Sequence, residues 1–247
     1  MSGTMRAVAA FWNDDPDKLV FILEELCREM TTNGLATPVV VDCRKGNKPP
    51  HFLLADSRGY GVRGLKGIAQ GEIPYLKPSE VGILLKGAAP IDSYLYVILT
   101  DDESIADAYA AVDDIFFLCR PKPESTSSLF SLVKRCASVE GRYHRFHVMV
   151  SGLPKIEDAT LFFVSLCDEI RNIEDHHADI LFAGFCDIDF EKVDIARANQ
   201  VHYREIFKGD SFYGQLLYSA KNLLGHIETV ETDLDITTFF KKHFTQP

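Results

Sequence analysis

The chain has no paired cysteines. Its six, Cys27, Cys43, Cys119, Cys136, Cys167 and Cys186, form no C-x-x-C pair and mostly sit in apolar runs. A disulfide framework would be denser and a zinc site would show paired spacing. They read as buried, reduced thiols. No apolar run reaches 18 residues, so no membrane span is expected. The first residues lack a charged stretch followed by a long apolar one, so no signal peptide is expected and the localisation read is cytoplasmic. A long basic run is also missing, and the net charge is -10 with pI near 5.3. An acidic surface repels phosphate-rich partners, which argues against nucleic acid. There is no G-x-S-x-G nucleophile motif. The glycine pattern Gly59-Tyr60-Gly61-Val62-Arg63-Gly64 follows no clear strand and opens no clear helix, so it is not a dinucleotide loop.

What is present is a globular composition. Of 247 residues, 46% are hydrophobic and 25% charged, enough for a sizeable core in one α/β domain. Strands are expected at Met5 to Phe11, Pro38 to Val41, Tyr94 to Leu99, Ile115 to Cys119, Phe146 to Val150 and Ile180 to Phe185. Between the first two, Val20, Phe21, Leu23, Leu26, Cys27 and Met30 recur at helical spacing, and Asn33-Gly34 ends the helix. Further helices are expected at Ser125 to Cys136, Asp158 to Ile173, Val193 to Gln200 and Phe212 to Leu224. Residues 43 to 92, rich in glycine and proline, read as long loops around short elements. Continuous apolar strands alternating with helices indicate a mainly parallel sheet with helices on both faces. Ligands of such sheets sit outside the carboxyl ends of the strands.

The order of elements, from about residue 5 to 225, resembles the MinD/ParA group of P-loop ATPases, and most its FlhG flagellar-number branch. The expected fold is therefore the MinD/ParA-like P-loop NTPase fold, a single domain over 1–230 with a short amphipathic tail over 231–247. The turn after the first strand occupies the place of the family's phosphate loop, K-G-G-V-G-K-T. With Lys18 on the second lysine, the segment reads Asn13-Asp14-Asp15-Pro16-Asp17-Lys18-Leu19. A phosphate loop needs glycines so that backbone N–H groups can curl round phosphates, and a hydroxyl for magnesium. Here aspartates replace glycines and Leu19 replaces the hydroxyl. Three carboxylates facing a triphosphate in a partly dehydrated site would cost several kcal/mol.

Other landmarks are partly kept. Val39 to Asp42 resembles the strand ending in the family's switch aspartate. Tyr94 to Asp101 resembles the Walker B strand, with Thr100 where the magnesium-shell aspartate belongs and Asp101 one place on. Pro123, Glu124 and Ser125 fall on a proline–glutamate–hydroxyl stretch. Val148 to Ser151 resembles the strand that ends in the base-reading asparagine, here Ser151. Gly184 to Asp189 and Gly209 to Ser211 resemble two later loops. The resemblance implies degenerate phosphate-loop and switch positions at Asn13, Asp14, Asp15, Asp17, Lys18, Asp42, Thr100, Asp101 and Ser151. It leads to the expectation of a protein that is not an enzyme, a regulatory scaffold with no cofactor and a heteromeric protein partner. The alternative is a non-standard nucleotide binder or slow ATPase using ATP and magnesium. An ATP-sandwich homodimer is not expected, because the aspartates of two protomers would repel.

Bland readings stand beside these. Asp14 or Asp15 capping a helix that opens at Pro16 is ordinary helix-start chemistry. His176 and His177 read as solvated loop residues. His144 and His147, three apart, fall on opposite faces of an extended strand and read as structural or solvated. In the tail, Ile236, Phe239, Phe240 and Phe244 share a helical face beside Lys241, Lys242 and His243. Docking on the protein's own surface or on a partner is favoured over peripheral membrane contact at the inner face.

Overall fold

The first strand, β1 (Gly3–Phe11), is nine residues long, and its four alanine and valine positions from Ala7 to Ala10 are fully buried. Both faces of β1 are covered, which is why its run is apolar without alternation. The computed structural model describes residues 3–11, 16–44, 73, 75–81, 94–101, 105–137, 143–172, 178–199, 203, 209–227, 230–232 and 236–244. Pro16, its φ pre-set for a first helical turn, opens α1 (Pro16–Thr32). The chain then runs through β2 (Thr37–Asp42), β3 (Tyr75–Leu76), a 3-10 turn Pro78–Glu80, β4 (Tyr94–Thr100) and α2 (Ile105–Ala111). It continues through β5 (Asp114–Cys119), α3 (Pro123–Ala137), β6 (His144–Ser151), α4 (Ile156–Arg171) and β7 (Ala178–Cys186). The last elements are α5 (Phe190–Ala198), α6 (Ser211–His226), β8 (Val230–Thr232) and α7 (Ile236–Phe244).

Seven strands lie parallel in the order β3-β2-β4-β1-β5-β6-β7, and β8 pairs antiparallel with Gly3 to Met5 of β1. One face of the sheet is packed by α2, α3, α4 and α7. The other is packed by α1, α5 and α6. The fold is thus an α/β doubly covered sheet, as the alternation of apolar strands and helices implies. Residues 43 to 92, read as loops, contribute β3 and the 3-10 turn, and most of that stretch lies outside the described residues. The helix α2 was not foreseen: seven residues are too few for a periodic signal, although Ile105, Ala108, Ala111 and Val112 are all buried.

Beyond residue 230, β8 pairs with β1 and α7 packs on the sheet. Phe239 and Phe240 are buried, and the Phe240 ring packs 5.8 Å from that of Tyr96 on β4. Burying two phenylalanines contributes roughly 3–6 kcal/mol. For these two residues docking on the protein's own surface, one of the two favoured readings, is what the structure shows, and it leaves neither ring for a membrane or a partner. Ile236 and Phe244 lie within α7, and their side chains are outside the described residues.

Gly184 answers to a close approach. Its φ is 137°, and a Cβ there would meet Ser219 Oγ at 2.1 Å. Ser219 on α6 donates to the carbonyls of Phe185 and Gln215, so helix and strand touch backbone to side chain at this point. Only glycine fits both the angle and the space.

Candidate functional site

The carboxyl ends of β1, β2 and β4 lie side by side, with Asp42 opposite Leu99 and Phe11 opposite Thr100. Because the strands are parallel, their last residues lie together at one end of the sheet. Asp42 ends β2 and is buried. Its Oδ1 accepts from Arg44 Nε at 2.7 Å and from the Arg44 backbone N–H at 3.2 Å. Its Oδ2 accepts from Arg44 Nη2 at 3.0 Å, from Lys77 Nζ at 2.8 Å and from the Tyr75 hydroxyl. Burial alone would raise the Asp42 carboxyl, but the hydrogen bonds from Arg44, Lys77 and Tyr75 outweigh it and hold it below the ordinary value. Burial and the adjacent carboxylate push the Tyr75 phenol far up. The clamp joins β2 to β3, which pair at Val40–Tyr75 and Val41–Leu76.

The other predicted positions divide. Thr100 is buried, and its hydroxyl donates back to the Ala10 carbonyl at 3.1 Å. Asp101 is half-buried, and its carbonyl accepts the first N–H of α2 from Ile105. Ser151 ends β6 and is buried beside Cys186. Because β5 lies between β1 and β6, Ser151 is not brought beside Asp42 and Thr100. Asp17 and Lys18 lie in the first turn of α1, and their side chains are outside the described residues, as are Asn13, Asp14 and Asp15 entirely. The two later loops act as helix starts. Asp189 accepts from the Glu191 N–H at 3.0 Å in the first turn of α5. Asp210 caps α6 by accepting from Phe212 N–H, and it also takes the Tyr203 hydroxyl and Lys192.

Sequence reasoning missed the partners of Asp42. Arg44, two residues on, was available as a signal, but Tyr75 and Lys77 come from a stretch that reads as loop. It also missed a second polar cluster, at the opposite end of the sheet. Asp114 opens β5 and is wholly buried. Arg145 grips it with two bonds of 2.8 Å, and His147 Nε2 lies 2.6 Å from Oδ1. Burial would raise Asp114, but the hydrogen bonds from His147 and Arg145 lower it. An ionised carboxylate only accepts, so Nε2 carries the shared proton. The His147 ring stacks 6.2 Å from His226 at the end of α6, and its Nδ1 has no hydrogen-bond partner among the described residues. Both His144 and His147 are buried, so the solvated reading is set aside.

No family model matches the chain, and no curated protein matches it by sequence. Solved structures do. The MinC:MinD cell division protein complex of Aquifex aeolicus is 12% identical at a TM-score of 0.61, covering 92% of this chain and 99% of that one. A ParA family ATPase from Chlorobium tepidum is 13% identical at 0.57, covering 89% and 98%. The plasmid partition protein from Borrelia burgdorferi, bound to AMPPNP, is 10% identical at 0.57, covering 90% and 99%. The chain has the MinD/ParA fold. At such identities the likeness is one of backbone architecture, retained over nearly the whole length of both chains.

That finding overturns one expectation. The altered phosphate-loop positions led to the reading that the protein is not an enzyme. The structures sharing its fold include an ATPase, so this architecture is one on which ATP chemistry is built, and the non-enzyme reading is withdrawn. The reasoning failed because it inferred activity from residue types at single positions, chiefly seven loop residues of which the structure describes four, Pro16 to Leu19.

Proposed function

We propose that this chain is a regulatory protein of the MinD/ParA type, nearest the FlhG branch, whose output is a contact with a heteromeric protein partner. It works in the cytoplasm, in flagellar, polarity or secretion machinery of bacteria. One observation supports this above others: the Asp42 carboxylate is clamped by Arg44, Lys77 and Tyr75 of its own chain. A switch residue so engaged serves the internal geometry of the sheet edge. Thr100, turned back onto Ala10, is committed in the same way. Protein contacts are a use of the fold with a precedent in the MinC:MinD complex, a MinD bound to another protein.

Nucleotide is the variable that tests the reading. With aspartates for glycines around Lys18, ATP binding is expected to be weaker than about millimolar. Nucleotide is not expected to draw two copies together, because Asp14, Asp15 and Asp17 of each would meet across the same face. The experiment is a calorimetric titration with Mg-ATP and Mg-ADP, followed by light scattering with and without Mg-ATP. Micromolar binding, or a nucleotide-dependent doubling of mass abolished by Lys18→Ala, would move the protein to the second reading. In that reading it is a nucleotide binder of non-standard design using Lys18, Asp42 and Asp101. The AMPPNP-bound partition protein of the same fold is the observation in its favour.

A further inference from the structure

The outer face of α4 carries two large aliphatics in water. Leu161 is 70% exposed and Val164 is 51% exposed. Only five large hydrophobics among the described residues are exposed, and these two are neighbours one turn apart on one helix. A single exposed leucine is ordinary. A pair on one face needs more of an account, because both could have been polar at no cost to the fold. The inner face of α4 already seats Ala159, Leu166 and Ile170 in the core, with Phe163 packed 5.1 Å from Phe182 of β7. The aliphatic pair therefore belongs to a rigid helix that needs nothing from it.

The surroundings of the pair select its occupant. At helical spacing, Glu157 stands one turn before Leu161 and Asp168 one turn after Val164, so a carboxylate closes each end of the aliphatic stripe. Thr160 and Ser165 flank it, and both are exposed and small. Two cations stand near the ends, Lys155 and Arg171, and Arg171 meets Asp168 at 3.0 Å with both side chains well exposed. Such a solvated pair exchanges readily for another. A second copy of this chain is a poor occupant. Packed two-fold on itself, α4 would gather Glu157 and Asp168 of both copies at the ends of one stripe, with only Lys155 and Arg171 to offset them, on a molecule already at net charge -10.

We infer that this face of α4 is a docking surface for an amphipathic helix of a heteromeric partner, one whose own aliphatic pair is flanked by Lys or Arg. The aliphatic side chains of the two helices interdigitate, Thr160 and Ser165 allow close approach, and the partner's cations meet Glu157 and Asp168. The inference rests on the protein-contact reading above, and it names the surface and the partner's chemistry.

The test uses the full chain and a synthetic helical peptide as probe. The peptide carries two leucines at i and i+3, with lysines one turn before and one turn after. A control peptide carries glutamates in place of the lysines. Fluorescence anisotropy should show saturable binding of the lysine peptide, weakening as salt rises from about 50 to about 200 mM, and no binding of the control. Leu161→Glu with Val164→Glu should weaken binding at least about tenfold and leave the melting temperature unchanged, since both side chains are in water. Glu157→Gln with Asp168→Asn should remove the salt dependence. Equal binding of both peptides, or binding indifferent to Leu161→Glu, overturns the proposal. So does a dimer of the wild type that the double glutamate variant splits, which would give the face to a second copy. So does binding to anionic vesicles lost in that variant, which would give it to a membrane. These readouts are separate from the nucleotide titration, so either reading can fail alone.

Discussion

Two buried aspartates stand at opposite ends of the sheet, and they solve one problem differently. Asp42, at the carboxyl end, shares its charge among Arg44, Lys77 and the Tyr75 hydroxyl, and the side chain of Lys77 is half in water at 50% exposure. Asp114, at the amino end, faces Arg145 at 15% and His147 at 0% exposure. Each carboxylate is held ionised against the cost of burial. The difference lies in where the cations would go if the carboxylate were lost. Lys77 can return to solvent, whereas His147, under α6 and stacked on His226, cannot. Similar chemistry therefore makes a clamp that can yield at the carboxyl end and a fixed rivet at the amino end. The end that can yield is the one where ligands of parallel sheets bind.

The largest test of this contrast is truncation. Asp114→Ala should lower unfolding free energy by about 3–5 kcal/mol, because it removes the carboxylate that both Arg145 and His147 face in the interior. Asp42→Ala should lose only about 2–3 kcal/mol, since Lys77 re-hydrates and Arg44 keeps the Tyr75 hydroxyl. Denaturant titration of both variants measures the difference, and equal losses would erase the contrast.

Acid should sharpen it next. Both carboxyls sit below the ordinary aspartate value near ~3.9. A carboxyl lowered by folding contributes its full stability above the unfolded value and loses it as pH falls through the folded one. The melting temperature of the native protein should therefore drop steeply below about pH 4. Asp114→Ala and Asp42→Ala, each lacking one such group, should drop less steeply over the same range. Parallel curves for all three proteins would show that neither aspartate is the source.

The smallest expected effect is that of Lys77→Ala. Arg44 still engages both Asp42 oxygens, and the lost ion pair is half-solvated, so the cost should stay below about 1 kcal/mol. A loss as large as that of Asp42→Ala would mean that Lys77, not Arg44, is the essential partner.

The apolar strands β1, β2 and β4 to β7 were legible because a parallel sheet covered on both faces demands unbroken runs such as Tyr94 to Leu99 and Phe116 to Cys119, and local composition reveals them. The helices α1, α3, α4 and α6 were legible through their periodicity. Gly184 was noted as a kept landmark, but its reason, the approach of Ser219 from α6, is a contact across 35 positions of sequence. Asp42 was legible as an acid at a strand end, in the place of the family's switch aspartate. The clamp was invisible because Tyr75 and Lys77 come from a stretch that reads as loop and reach Asp42 only through the β2–β3 pairing.

By itself, then, the sequence determined the class of sheet, the helices that cover it and the acidic charge of the surface. The first two follow from which side chains are apolar and at what period, and the third from the excess of Asp and Glu over Lys and Arg. Tertiary structure decided what each polar residue does. It set Asp114 beside Arg145 through strand register, turned Thr100 onto Ala10, and buried Phe239 and Phe240 against Tyr96. Those outcomes depend on distance in space between residues far apart in the chain, and no local pattern encodes that distance.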